Sequence, residues 1–524
     1  MLRRCAGLAL LLVGVTACGN ILGPTGTAAP TGVVIITAGG TALGDGAADV
    51  PPTLDLGIQG DGIGPGEVTA TLDGRPLKLA AAAGRLTAET APMAYGSSHA
   101  LVVDVLGRQP DQIGFQVVDR TQVSAAAWLD PAGGLVTQVV FERAADQAAI
   151  AAALPGARLE WFDPTHLGLS WSSPPAALIL PAGLPASRGS VLDGPLTLPL
   201  AGIQPGQLRR ATVPAAPATP PGLALTLWTV DGAASHTSTR SHASQVAVLS
   251  PTGWQVGAGG DLQGTPDPVT LATGAAAGRP VWPLLANDAS DPTATDQFLH
   301  SSPAETSLVE AVVGQVRRLH LAGVNLDFEG VPGADETALT GFVTQLAGAL
   351  HAAGARLSVD VVPHDASGVN AASAAYDDPA LAAVADQLVV MAYDEHTSAG
   401  APGPVAGLDW QTAELAATLD GVPPAKAVLG IPLYARRWSA GQVSAADYTS
   451  AVAQALTEPG LAYDYDFAAA TPDLDSEPGG VPTQLWFDDA DSLLRKVAAV
   501  QRLGLAGIAA WRAGFEDPAF WSVV

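Results

Sequence analysis

From Val33 to about Val118, apolar and polar residues alternate in short runs, each closed by a turn. Examples are Glu67-Val-Thr-Ala-Thr-Leu72 before Asp73-Gly74, Leu101-Val-Val-Asp-Val105, and Gly114-Phe-Gln-Val-Val118. A period of two with Asp-Gly and Pro punctuation predicts strands buried on one face, and hence a small β-sandwich over residues 31–120. Within it, Gly57 to Gly66 lacks a dinucleotide fingerprint because Pro65 stands in the third glycine's place; this stretch reads as loop. Residues 121–212 hold a strand, Leu135 to Phe141, a helical patch, Ala145 to Leu154, and further short strands, which predicts a small α+β or β module. Pro214, Pro217, Pro220 and Pro221 then crowd residues 213–222, a linker by composition.

Beyond the linker the rhythm changes. Apolar, β-rich runs recur at Leu223–Val230, Val246–Ser250, Val281–Leu285, Val324–Phe328, Leu357–Val362, Leu388–Tyr393, Val428–Tyr434 and Gly507–Trp511. Helical stretches separate most of them. Ser307 to Leu321 is one, opening on a Ser307-x-x-Glu310 capping box, with apolar residues at 309, 312, 313, 316 and 319. Near-continuous apolar strands alternating with amphipathic helices imply a parallel sheet covered by helices. Eight such units predict a (β/α)8 TIM barrel over residues 223–524. The long gap between Tyr434 and Gly507 holds a helix, then Thr471 to Trp486 with Gly479-Gly480 at a hairpin turn. That pattern predicts an insertion on the barrel rim near 439–485.

A chain of 524 residues exceeds one ordinary core, consistent with this multidomain reading. Its first residues, Met1-Leu2-Arg3-Arg4, precede an apolar run from Ala6 to Val15 that is too short for a permanent membrane span. Residues 1–17 read as a signal peptide. Val15-Thr16-Ala17-Cys18 resembles the lipobox of bacterial lipoproteins, which implies lipidation at Cys18 and an extracytoplasmic protein anchored to a bacterial membrane. The alternative is an ordinary cleaved signal that contains a cysteine. A Gly/Pro/Thr-rich tether follows over residues 18–30. The other cysteine, Cys5, leaves with the signal, so no internal disulfide can form and packed cores must supply the stability. The net charge of −26 repels phosphate backbones and argues against nucleic acid as a partner. The first β-module is similar to bacterial immunoglobulin-like modules.

Candidate chemistry lies where the fourth barrel run ends, in Ala322-Gly-Val-Asn325-Leu-Asp327-Phe-Glu329. Strand period places Asn325, Asp327 and Glu329 on one face, directed into the barrel, with Glu329 at the rim. Two carboxylates so close in low dielectric push one pKa upward, as a general acid requires. The same pair also fits a metal site, or a buried pair bound by backbone amides. His364 and His396 follow strands five and six without a second ligand pattern, and no metal or cofactor is predicted.

The strand-four run resembles the D-x-x-D-x-D-x-E signature of glycoside hydrolase family 18, the chitinase-like hydrolases. Asp327 and Glu329 match its last two acids; Ala322 and Asn325 replace the first two. The Gly-Val-Asn-x-Asp-Phe-Glu form is similar to the subfamily of spore-cortex-lytic N-acetylglucosaminidases. The resemblance continues through Met391-Ala-Tyr393-Asp394-Glu-His396, Gly403-Pro404-Val405, Gly430-Ile-Pro-Leu-Tyr434, Leu485-Trp486-Phe487-Asp488-Asp489 and Ala510-Trp511-Arg512-Ala-Gly514. The last of these, running on to Glu516-Asp517-Pro518, is also similar to hydrolase modules fused to polysaccharide deacetylases.

The resemblance implies hydrolysis of a polysaccharide containing N-acetylglucosamine by a retaining, substrate-assisted mechanism without a cofactor. It implies Glu329 as proton donor, Asp327 on the acetamido N–H, Tyr393 on the acetamido oxygen and Asp394 positioning the sugar. Trp511 would form an apolar floor, with Asn325, Met391 and Tyr434 as further substrate contacts. In packing terms alone, Tyr393 and Trp511 are also ordinary barrel residues. The neutral Asn325 removes a carboxylate that could share a proton with Asp327, which predicts an altered pH profile. Two other readings stand beside the enzyme: a cell-surface carbohydrate-binding protein without turnover, and an adhesion or scaffold lipoprotein acting through its N-terminal modules.

Overall fold

The computed structural model describes residues 34–38, 40–60, 63, 66–82, 84–216, 223–257, 259–365, 371–522 and 524. The signal segment, Cys18, the tether, and Pro217, Pro220 and Pro221 of the linker lie outside the described residues. The chain divides into two compact units, Met1–Asp119 and Arg120–Val524.

In the first unit, two five-stranded sheets enclose one apolar core that includes Leu54, Leu56, Ile58, Leu101, Val103 and Phe115. The loop expected from Gly57 begins instead as a strand, Asp55–Gln59, paired on both edges with Ile35–Ala38 and Arg85–Glu89. Leu56 and Ile58 alternate into the core and outweigh the weak strand preference of glycine. A Cβ on Gly57 would lie 2.6 Å from Thr37 Oγ1, so the missing side chain admits the neighbouring strand's threonine.

The second unit opens with a five-stranded antiparallel sheet whose second strand, Leu135–Phe141, has the predicted bounds. The helix Gln147–Ala153 is capped by Asp146, which accepts from two backbone amides. One face of this sheet covers its own small core; the other, through Ala126, Trp128 and Val140, packs on Val452, Tyr463 and Leu485 further along the chain. A buried ion pair ties the two parts together. Arg210 Nε and Nη2 donate to Asp489 at 2.7 and 2.9 Å, and Nη1 donates to the Tyr463 hydroxyl at 2.7 Å. The bidentate geometry compensates the desolvation of both charges, whereas removing one partner from such a pair typically costs about 3–5 kcal/mol.

The eight apolar runs form eight parallel strands: Ala224–Thr229, Val248–Pro251, Leu284–Ala286, Gly323–Asp327, Arg356–Val361, Gln387–Val390, Ala427–Pro432 and Gly507–Trp511. Strand one pairs with strand eight, and the bridge between Leu249 and Val281 joins strand two to the run leading into strand three. The sheet therefore closes into a barrel. An unforeseen hairpin, Trp254–Val256 with Leu262–Gly264, adds to the edge of strand three.

Two expected boundaries move. The helix expected from Ser307 starts at Ser302, because Ser301 caps it and Pro303 sits in its first turn; Ser307 and Glu310 lie inside it. The seventh run stops at Pro432, which has no N–H to extend a ladder. Tyr434 instead begins a separate five-stranded antiparallel sheet that runs to Trp486 and contains the Gly479-Gly480 turn, so the insertion is wider than the sequence suggested.

Candidate active site

On strand four, Val324 and Leu326 are buried in the core that the surrounding helices share, while Asn325 and Asp327 take the alternate positions facing the barrel axis. Asn325 is 1% exposed, and its amide is fully engaged. Its Oδ1 accepts from Trp228 Nε1 at 2.7 Å and from Ser250 at 3.2 Å; its Nδ2 donates to Ser358 at 3.0 Å and Asp360 at 2.7 Å. Asn325 thus links strands one, two, four and five beneath the mouth, and protein partners occupy the valences expected to meet substrate.

Asp327 lies above Asn325 with its Oδ1 buried and unpartnered. Burial, reinforced by the Glu329 charge, pushes its carboxyl up to about 7. Glu329 follows at the rim, open to solvent, and is also raised, first by desolvation and then by Asp394. Asn287, just beyond strand three, grips the Glu329 backbone from both sides. Its Oδ1 accepts from the Glu329 N–H at 2.9 Å and its Nδ2 donates to the Glu329 carbonyl at 2.7 Å. Tyr376 donates to the Phe328 carbonyl at 2.7 Å. Gly330 turns the chain away at φ +64°, where a Cβ would meet the Ala289 carbonyl oxygen at 2.8 Å.

Strand six delivers Met391, buried, and Tyr393, half-buried. Burial, then the charges of Asp327 and Asp360, hold the Tyr393 hydroxyl well above its ordinary value, so it stays a donor. Gln411 fixes this segment by donating to the Ala392 carbonyl at 2.7 Å. Asp394 is exposed, with φ of 66°; its Oδ1 accepts from the Tyr434 hydroxyl and from Arg436 Nη2 at 2.6 Å. Trp511, half-buried at the end of strand eight, stands edge-on to Trp228 with ring centroids 5.8 Å apart, and both pack with Tyr393.

The structure therefore gathers Asp327, Glu329, Tyr393, Asp394, Tyr434 and Trp511 at the C-terminal ends of the strands, where a barrel of this kind carries its chemistry. Sequence reasoning missed Asp360, Asn287, Trp228 and Arg436. Asp360 had a visible signal: Ser358 and Asp360 break an apolar run at alternate positions, as Asn325 and Asp327 do on strand four. His364 pairs with Asp378 at 3.1 Å, and His396 meets the Pro404 carbonyl at 3.0 Å. Among the described residues, two groups have metal-ligand spacing, Asp231–His236–Asp267 and Asp296–His300–Asp335; Asp327 and Glu329 belong to neither. The arrangement can protonate a leaving group at the mouth, hold a polar N–H beneath it, and seat an apolar ring face on Trp511.

Comparison with known proteins bears on the family and the fold. Residues 290–516 match the model of glycosyl hydrolases family 18. The chain is 32% identical over 222 residues to YdhD of Bacillus subtilis, named for a sporulation-specific glycosylase, covering 41% of this chain and 52% of that protein. It is 24% identical over 237 residues to the cortical fragment-lytic enzyme of Bacillus anthracis, covering 44% and 55%. The chain thus spans about half the length of these two relatives. The crystal structure of a chitinase from Chromobacterium violaceum superposes with a TM-score of 0.54 at 27% identity, covering 58% of this chain and 98% of that one. Residues 290–516, which carry barrel strands four to eight, form a domain of the glycosyl hydrolases family 18.

Proposed function

We propose that the protein is an envelope glycosidase that hydrolyses a β-linked polysaccharide containing N-acetylglucosamine, with retention of configuration and assistance from the substrate. The observation that carries this reading is Glu329, exposed at the barrel mouth with its carboxyl raised, two residues beyond Asp327 on the same strand and in the same cleft as the Tyr393 donor. Glu329 protonates the glycosidic oxygen as the acetamido oxygen of the same substrate attacks the anomeric carbon. The glycosidic bond breaks and an oxazolinium forms. Asp327 takes the acetamido N–H and faces the new positive charge; Tyr393 donates to the acetamido oxygen. Glu329, now ionised, removes a proton from the water that opens the ring. Asp394, held by Tyr434 and Arg436, positions the sugar, and Trp511 supplies the floor. Incubation with purified peptidoglycan and with chitin oligomers, followed by mass spectrometry of the products, tests the reading; intact substrate in both would refute it.

Because Asn287 fixes only the backbone of Glu329, Asn287→Ala should leave substrate binding nearly unchanged and lower kcat by on the order of tenfold. That is milder than the ~10²-fold that a 1 Å misplacement can cost. Steady-state kinetics decide it, a rise confined to KM being the contrary result.

The proposed location is extracytoplasmic, anchored to a bacterial membrane by lipid on Cys18, which favours an envelope glycan over an external polymer. Cys18→Ala should move the protein from the membrane fraction to the soluble one; a variant still in the membrane after a salt wash would contradict the anchor.

A further inference from the structure

Asp360 stands on strand five in register with Asp327. Asn325 pairs with Ser358 and Leu326 with Val359, so the next residues along the two strands face each other. Both carboxyls point inward. Asp360 is 1% exposed, and its Oδ1 accepts from Asn325 Nδ2 at 2.7 Å. Its Oδ2 and the Asp327 Oδ1 are both buried without a partner. The titratable groups facing Asp360 are Asp327 and Glu329 from strand four, Tyr376 from the segment before the helix Asp378–Val384, and Tyr393 from the end of strand six. None of them is a cation. Two carboxyls on neighbouring strands, poorly solvated and without a counter-charge, resist ionising together, and each leaves one buried oxygen without a donor. One proton meets both requirements.

Resting on the glycosidase reading of the mouth, we propose that Asp360 and Asp327 share a single proton at neutral pH. Asp360 is then a positioning residue that keeps a neutral O–H donor against the Asp327 anion. Burial and the Asp327 charge, which hold the Asp360 carboxyl well above the usual range, agree with this division. The proton rests on Asp360 whenever Asp327 faces positive charge, so the field beneath the sugar is that of one anion. A coupled pair of this kind titrates as a unit.

Difference infrared spectroscopy of the substrate-free protein tests the pair directly. Asp360→Asn preserves the acceptor for Asn325, and at neutral pH it should remove a protonated carboxylic-acid band; loss of carboxylate bands instead would overturn the proposal. If that variant does not fold, Asp327→Asn serves, since removing the neighbouring charge should make the Asp360 acid band titrate at lower pH; an unchanged midpoint overturns it. In turnover, Asp360→Leu deletes the donor and should raise the acid limb of the kcat/KM profile by about one pH unit, with Asp360→Asn restoring most of it. An unmoved limb in the leucine variant counts against the pair. Should the native protein cleave no glycan, the glycosidase reading fails while the infrared result still judges the shared proton.

Discussion

Glu329→Gln leaves a folded protein whose hydrolysis of any substrate the native enzyme cleaves falls by about 10²–10⁴-fold, the usual contribution of a positioned general acid. The amide keeps the shape of the side chain, and the hydrogen bonds that hold the Glu329 backbone come from Asn287, so the strand end stays in place. What disappears is the proton for the leaving oxygen and, in the second step, the base for water. Asp327 reports the change independently. The Glu329 charge helps to push its carboxyl up to about 7, so in the glutamine variant that value should fall. In the native enzyme Glu329 must begin protonated, and activity therefore declines as pH rises through its elevated pKa. Asp327 must be ionised opposite the oxazolinium, and activity declines again as pH falls through its own pKa, which burial raises and which drops when Glu329 carries its proton. Unchanged turnover in the glutamine variant, measured on a substrate shown to be cleaved, would remove Glu329 from the chemistry.

The elements written as local patterns were legible in the sequence. All eight barrel strands announce themselves as apolar runs, and the alternation Asn325, Asp327, Glu329 puts three polar groups on one face without reference to any other part of the chain. Legibility ends where a contact joins distant residues. Asn325 meets Asp360 across 35 positions and Asp394 meets Arg436 across 42, and neither spacing has a local period to betray it. The same holds for the motif Leu485-Trp486-Phe487-Asp488-Asp489. Its acids are engaged by the protein itself: Asp488 forms a fully buried ion pair with Lys496, and Asp489 caps the helix Ala490–Leu503 while pairing with Arg210. Likewise Glu516 binds Ser238, the Gly514 N–H at 2.6 Å and Trp521 Nε1 at 2.9 Å, holding the segment after strand eight to the first barrel helix. The sequence marks these residues as belonging together; only the fold separates those that face the cleft from those that hold it.

De-N-acetylated polymer with glucosamine in the cleavage subsite should be cleaved far more slowly than the acetylated form. An enzymic nucleophile would need a carboxylate free to reach the anomeric carbon. Asp394 is tied to Tyr434 and Arg436, Asp360 lies fully buried on the strand next to Asp327, and Glu329 is occupied as the acid. Asp327 sits at the foot of the cleft, where its carboxylate can take an N–H and face a cation. The nucleophile then comes from the substrate, and without the acetamido oxygen the oxazolinium cannot form. A thiazoline analogue of that intermediate should inhibit competitively and bind about 10²-fold or more tighter than substrate, as stabilised-intermediate analogues do. Asp327→Asn should weaken the thiazoline and slow turnover together, because one carboxylate holds the same N–H in both. If instead the two polymers are cleaved at equal rates and the thiazoline is inert, a protein nucleophile must act, even in an enzyme that cannot work without Glu329.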